Sequence, residues 1–167
     1  GKDRMEAMLQ ANNAIPPMVI QVNTLRTTTE ALAEQLEAAG VSVQPHGWME
    51  DALVLGNTGS IEKLPAFQNG LFYVQDPASK LSVLCAQLPR EEIRILDCCA
   101  APGGKSFAAA IATDGKAHIT ACDVYAHKAE LIASGAKRMG LPVEARQQDA
   151  TVWNAQWENG FDAVICD

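Results

Sequence analysis

Apolar positions run along this chain in two rhythms, and the change between them falls near residue 75. In the first stretch, short apolar groups either alternate with polar residues or recur at helical spacing. Met18–Asn23, Val41–Pro45 and Ala52–Leu55 read as strands. Between the first two, Ala31, Leu32, Leu36 and Ala39 share a helical face, with Thr27 or Thr28 as N-cap and Gly40 as the stop. Gly56-Asn57-Thr58-Gly59 is a turn, and Ile61–Leu64 leads into a one-turn helix at Pro65-Ala66-Phe67. Residues 5–13 suggest a short helix that Ile15-Pro16-Pro17 breaks. Gly70–Asp76 is a further strand with Phe72 and Val74 on one face. Strand, helix, strand, strand and a short helical segment predict a small α+β domain over residues 18–75.

Beyond Asp76 strands and helices alternate. Pro77–Leu88 is a helix with Leu81, Leu84, Cys85 and Leu88 at helical spacing. Strands follow at Ile93–Asp97, His118–Asp123, Val143–Gln147 and Phe161–Asp167, with helices at Lys105–Thr113 and Ala126–Met139. Short links between them imply right-handed βαβ units and a parallel sheet. The expected fold class is α/β, a Rossmann-like domain over residues 76–167 with an incomplete parallel sheet, preceded by the small α+β domain. Four strands in the order 3-2-1-4 leave the last as an open edge.

Composition narrows the class. The net charge of -7 is spread over both halves, so neither is a basic module for nonspecific nucleic-acid binding. No apolar run approaches the ~20 residues of a membrane span, and the N-terminus lacks a signal-peptide pattern. The five cysteines, Cys85, Cys98, Cys99, Cys122 and Cys166, are odd in number. They read as buried free thiols of a reducing cytoplasm. No Cys/His set has zinc spacing, so no metal is expected.

The chemistry gathers at one sheet edge. In open parallel sheets ligands bind beyond the carboxyl ends of the strands. Asp97 ends the first strand of the second half, Asp123 the second, Asp149 follows the third, and Asp167 ends the fourth. The loop Ala100-Ala101-Pro102-Gly103-Gly104 has no bulky side chain, so a ligand can approach its backbone. Gly104-Lys105-Ser106 matches the end of a P-loop, but Cys99 stands where its first glycine belongs, and no GxGxxG is present. What remains fits a ligand with little phosphate, such as S-adenosylmethionine. Asp123 suits its two ribose hydroxyls and Asp149 its adenine amino group.

The segment DCCAAPGGKS, Asp97–Ser106, closely resembles the DLCAAPGGKT signature of RNA cytosine-5 methyltransferases. VNTLRTTTEAL, GLFYVQDPAS and ACDVYAHKAELIASGAKRMGL resemble that family as well, in its bacterial Sun/Fmu branch, which acts on small-subunit (16S) ribosomal RNA. The resemblance runs from about Leu9 to Asp167. It implies that Cys99, Ala100, Ala101, Pro102, Gly103, Gly104 and Lys105 line the methionine and ribose side of S-adenosylmethionine. It also implies that Asp123 binds the ribose, Asp149 the adenine, and that Asp167 opens a DxPC motif near the sulfonium and the target base. Residues 18–75 correspond to an RRM-like (ferredoxin-like) domain, and residues 1–17 to the tail of a helical domain or a linker. In the family, two cysteines after the position of Asp167 perform covalent catalysis on cytosine. This chain ends at Asp167, so no catalytic residue is expected within it, and the expectation is an inactive internal fragment of a ribosomal RNA methyltransferase with weak or no cofactor binding.

Other residues have competing roles. Lys105 opposes a helix dipole, which points to loop orientation or RNA contact. Arg26 is either an RNA contact or a structural ion pair. Trp48, Trp153 and Trp157 suit packing better than base stacking. Lys128, Lys137 and Arg138 read as a solvated helix face, and His118 and His127 as surface residues. Gln75–Ser79 can touch the cofactor or the domain junction, and Asp76 equally suits an N-cap. Two other classes remain: an RNA-binding or assembly module that kept only the fold, and a different Rossmann enzyme.

Overall fold

A computed structural model describes residues 1–13 and 16–167; Ile15, in the expected chain break, lies outside the described residues. Helix α1 (Lys2–Asn12) precedes a four-stranded antiparallel sheet. Its strands are β1 (Met18–Val22), β2 (Ser42–Pro45), β3 (Ala52–Gly56) and β4 (Phe72–Val74), in the order β2-β3-β1-β4. Period-2 alternation gives each strand two faces. Ile20, Val22, Leu53, Leu55 and Phe72 pack under Leu32 and Leu36 of α2 (Thr29–Ala38). The Thr28 hydroxyl caps α2 by accepting from Ala31 N. The one-turn helix α3 (Pro65–Gln68) starts on its proline.

The second sheet is fully parallel. Its strands β5 (Arg94–Asp97), β6 (His118–Asp123), β7 (Val143–Gln147) and β8 (Ala163–Ile165) lie in the order β7-β6-β5-β8, the expected 3-2-1-4. The helices of this half are α4 (Pro77–Cys85), α5 (Gly104–Ala112) and α6 (Ala126–Met139). Ile95, Ile119 and Ala121 pack with α5 and α6, and every residue of α5 from Ser106 to Ile111 is buried. Small alanines let α5 lie this close. Leu96, Thr120 and Val164, which alternate with that core set, are only half-buried or exposed.

Four sequence expectations need correction. The α4 stripe of Leu81, Leu84 and Cys85 faces outward; Leu81 is 43% and Leu84 39% exposed. The buried face carries Pro77, Lys80 and Val83, because the Lys80 ammonium is drawn onto the Asp51 carboxylate of the first sheet. In β4, Val74 is 50% exposed while Tyr73 is buried. Phe72 enters the first core and Tyr73 the second, where its ring meets Phe107 edge-on at 5.8 Å. Arg138 is not on a solvated face. Among the cysteines only Cys122 is buried; Cys85, Cys99 and Cys166 are exposed.

Arg138 belongs to a polar clasp between the two sheets. Its guanidinium lies 3.7 Å over the Phe67 ring and donates to the carbonyls of Phe67 (2.6 Å) and Phe72 (3.1 Å). In return, Arg26 donates to the Arg138 carbonyl at 3.0 Å and to Asn69 O at 2.8 Å. Asn23 Nδ2 donates to Met139 O (3.1 Å) and Gly70 O (2.9 Å). Gly70 has φ of +68°, and a Cβ there would lie 2.1 Å from Arg138 O, so only glycine permits this approach.

The Lys80–Asp51 pair makes an asymmetric prediction. Lys80 is almost fully buried, whereas Asp51 keeps partial contact with water. Asp51→Ala strands a buried ammonium and is expected to cost about 3–5 kcal/mol. Lys80→Met removes the charge at similar volume and is expected to cost far less. Burial lowers the Lys80 pKa, so stability lost to its charge returns as pH rises through that lowered value. Urea melts of Asp51→Ala at pH 7 and near pH 10 check this: the gap to wild type narrows at the higher pH.

Candidate functional site

The loop after β5 is stitched to both neighbouring strands. Cys98 N donates to Ile165 O at 2.9 Å, at the end of β8. Ala100 N donates to Cys122 O at 2.7 Å, on β6. The chain then turns through Pro102, closing with Gly103 N on Ala100 O at 2.6 Å, and α5 begins. Gly103 takes φ of +111°, a conformation that glycine alone adopts easily. A Cβ on it would sit 2.5 Å from Phe107 Cζ, and a Cβ on Gly135 of α6 would sit 2.7 Å from the same atom. One ring therefore fills the space between the loop and α6. Gln75 covers Gly104 from the other side, with Nε2 2.9 Å from the position a Cβ would take. Gln75 is itself tied to the first sheet, its carbonyl accepting from Gln21 Nε2 at 3.1 Å.

The four aspartates share one edge but differ in surroundings. Asp97 is 2% exposed and accepts from the Ser106 hydroxyl at 2.7 Å. Burial raises its pKa, and the Ser106 bond and the nearby Lys105 charge oppose the rise. Asp123 is buried and accepts from Tyr125 N at 3.1 Å, and its own carbonyl receives Gln148 N at 3.0 Å. That bond sets the segment carrying Asp149 beside β6. Asp149 Oδ1 accepts from Thr151 Oγ1 (2.7 Å) and Thr151 N (2.9 Å), and these bonds hold its pKa below the usual carboxylate range. Asp167 meets the Lys105 ammonium at 2.6 Å, which lowers its pKa. The unfavourable helix-start position of Lys105 is thus answered by a carboxylate from the neighbouring strand.

Next to these groups a cavity of about 430 Å³ is lined by Cys98, Asp149, Ala150, Trp153, Trp157 and Val164. Trp153 is 73% exposed rather than packed. Sequence reasoning missed Ser106 as the partner of Asp97, although it lies in the GKS run. It also missed the alignment of Cys98 between Cys122 and Cys166, which needs the sheet register. Asp76 is an N-cap, accepting from Ala78 N at 2.7 Å. Arg26 bonds carbonyls instead of an acid. Among the described residues no group of His, Cys, Asp or Glu can hold a metal ion, and no helix is long and apolar enough to cross a membrane.

Comparison with known proteins fits this geometry. Residues 1–62 match the ferredoxin-like domain of RsmF/B-like methyltransferases, and residues 84–167 match the 16S rRNA methyltransferase RsmB/F family. Ribosomal RNA small subunit methyltransferase B of Serratia proteamaculans is 34% identical over 97% of this chain and 38% of its own length. A probable enzyme of the same name from Bacillus subtilis is 34% identical over 100% of this chain and 37% of its own. A crystallised methyltransferase homolog from Pyrococcus horikoshii, 26% identical, superposes with a TM-score of 0.77 over 93% of this chain and 51% of its own. The chain spans under two-fifths of the length of these curated relatives. It belongs to the RsmB/F family of 16S rRNA methyltransferases, with a ferredoxin-like fold followed by a Rossmann-like methyltransferase fold.

Gly103→Ala is expected to destabilise the chain by about 2 kcal/mol or more, from a positive φ and a collision with Phe107. Gly135→Ala meets the same ring but gains about 1 kcal/mol of helix propensity, so it costs less. Adding Phe107→Leu recovers part of each loss. Urea denaturation of the single and double variants reads these differences.

Proposed function

We propose that this chain forms the S-adenosylmethionine site, and the adjoining ferredoxin-like domain, of an enzyme that methylates carbon 5 of a cytosine in small-subunit ribosomal RNA. The observation that carries the reading is the glycine-hinged loop Cys99–Lys105, stitched between β8 and β6 with Asp123 and Asp149 beside it. The donor and acceptor set fits the cofactor. A carboxylate offers about four acceptor positions; Asp123 uses one on Tyr125 N, leaving capacity for two ribose hydroxyls. Asp149 takes both Thr151 bonds on Oδ1, which leaves Oδ2 for an adenine amino hydrogen. Asp97 is committed to Ser106 and holds the loop rather than a ligand.

When bound, S-adenosylmethionine supplies a methyl group on a cationic sulfur. Lys105 keeps Asp167 ionised at the end of β8, so that a negative charge faces the region of the sulfonium and the base. Attack on cytosine C6 needs a thiolate made by a neighbouring base or a lowered pKa. Burial pushes the Cys122 thiol up to about 11. Burial, with nearby thiols and carboxylates, also raises Cys98 and Cys99. Among the described residues no histidine or lysine forms a hydrogen bond or ion pair with Cys85 or Cys166. The attack on C6 is therefore assigned to none of these five thiols.

Titration calorimetry tests the cofactor site. Binding of S-adenosylmethionine by the chain is expected to be weak, and Asp123→Ala to weaken it at least tenfold further, about 1.4 kcal/mol. Equal affinity in the two proteins would overturn the ribose assignment. With radiolabelled cofactor and 16S ribosomal RNA, the 167-residue chain is expected to transfer no methyl group. Incorporation, lost on changing any one of its cysteines, would make that cysteine the nucleophile.

A further inference from the structure

Cys98 replaces the leucine of the DLCAAPGGKT pattern, and the sheet places it between two other cysteines. Asp97 is registered opposite Ala121 of β6 on one side and Ile165 of β8 on the other. One residue further, Cys98 therefore lies level with Cys122 and Cys166. The bond from Cys98 N to Ile165 O extends the β5–β8 ladder to this position. Adjacent strands stand about 4.8 Å apart, and disulfides bridge Cα separations of about 4.4–6.8 Å. Both pairs meet the distance, but access separates them. Cys122 is 1% exposed, whereas Cys166 is open to solvent and Cys98 half-buried beside it. Cys99 is also exposed, but a Cys98–Cys99 bond between sequence neighbours would strain the loop.

We propose that Cys98 and Cys166 are a modification site: a dithiol that a hydroperoxide oxidises to a disulfide, fastening the end of β8 to the root of the Cys99–Lys105 loop. The exposed Cys166 thiol gives up its proton, and its sulfur attacks a peroxide oxygen. An S–O bond forms, the O–O bond breaks, and the departing oxygen leaves as water, giving a sulfenic acid. Cys98 sulfur then attacks that sulfur. The S–S bond forms, the S–O bond breaks, and hydroxide leaves with the Cys98 proton as a second water. Two thiols lose two electrons and two protons, and one hydrogen peroxide is reduced to two waters. Burial and the neighbouring Cys166 and Cys99 thiols raise the Cys98 pKa, so this second step quickens as pH rises. A disulfide here pins the loop on one side only, and thiol reductants reopen it. Its effect on S-adenosylmethionine rests on the proposed function; the cross-link itself does not.

The test treats the chain with hydrogen peroxide, blocks free thiols by alkylation, and maps peptides without reduction. Expected are a Cys98–Cys166 peptide and two fewer free thiols than the five of the reduced protein. Cys166→Ser and Cys98→Leu each abolish the link, and Cys99→Ser keeps it. Melting of the reduced variants confirms that they fold, and the leucine variant restores the family residue. A link through Cys99 or Cys122, dimers joined between chains, or sulfinic acids without a cross-link would each overturn the proposal. Calorimetry of oxidised and reduced protein then separates the two readings. An at least tenfold loss of cofactor affinity on oxidation, restored by dithiothreitol, supports both. If the reduced protein binds no cofactor while the mapped link still forms, the cofactor site fails and the dithiol stands.

Discussion

The carbonyl end of α6 is the constraint on which the arrangement of this protein depends. A helix terminus leaves carbonyls without intrahelical partners, and when buried they must be satisfied by another group. Here the first sheet supplies the donors: Arg26 takes the Arg138 carbonyl and Asn23 takes that of Met139. Arg138 answers by donating to Phe67 and Phe72. Donor and acceptor thus cross the junction in both directions. A positive charge at a helix C-terminus also has the sign that the dipole favours. The small sheet is held by the methyltransferase half through directional bonds, to which Tyr73 adds an aromatic contact and Lys80 an ion pair.

That junction hands its geometry on to the loop. Tyr73 leaves β4 on the side opposite Phe72 and reaches Phe107, whose ring rests between Gly103 and Gly135. Gln21 holds Gln75, which lies over Gly104. The Cys99–Lys105 loop is therefore shaped by the domain before it as well as by its own strands, through groups that are themselves locked by packing and hydrogen bonds.

Much of this was legible in the sequence. The alternation of strands and helices after Asp76 implied a parallel sheet, and the order found is the 3-2-1-4 that four such strands can adopt. The aspartates at strand ends and the AAPGG loop fall together at one edge of the sheet, as expected from the topology. Of the contacts between the halves only Gln75 was legible, expected at the junction and found bonded to Gln21 and lying over Gly104. The stripe of Leu81, Leu84 and Cys85 pointed inward by periodicity, yet the bond of Lys80 to Asp51, 29 residues earlier, turns another face to the core. Arg138 looked solvated because its partners, Phe67 and Phe72, lie about 70 residues away and are mostly backbone. Cys98, Cys122 and Cys166 became neighbours only once the register was fixed.

The seat of Phe107 bears on how this protein can vary in inheritance. Gly103 in the loop, Gly135 in a helix and the ring between them occupy one volume, although 32 positions separate the outer two. A larger residue at Gly135 becomes easier once the ring is smaller, whereas at Gly103 the φ of +111° remains a cost whatever fills the space. The order of substitution then matters as much as its content. Position 135 and the ring are thus expected to vary together, with the smaller ring easing the larger helix residue, while Gly103 stays fixed by its backbone.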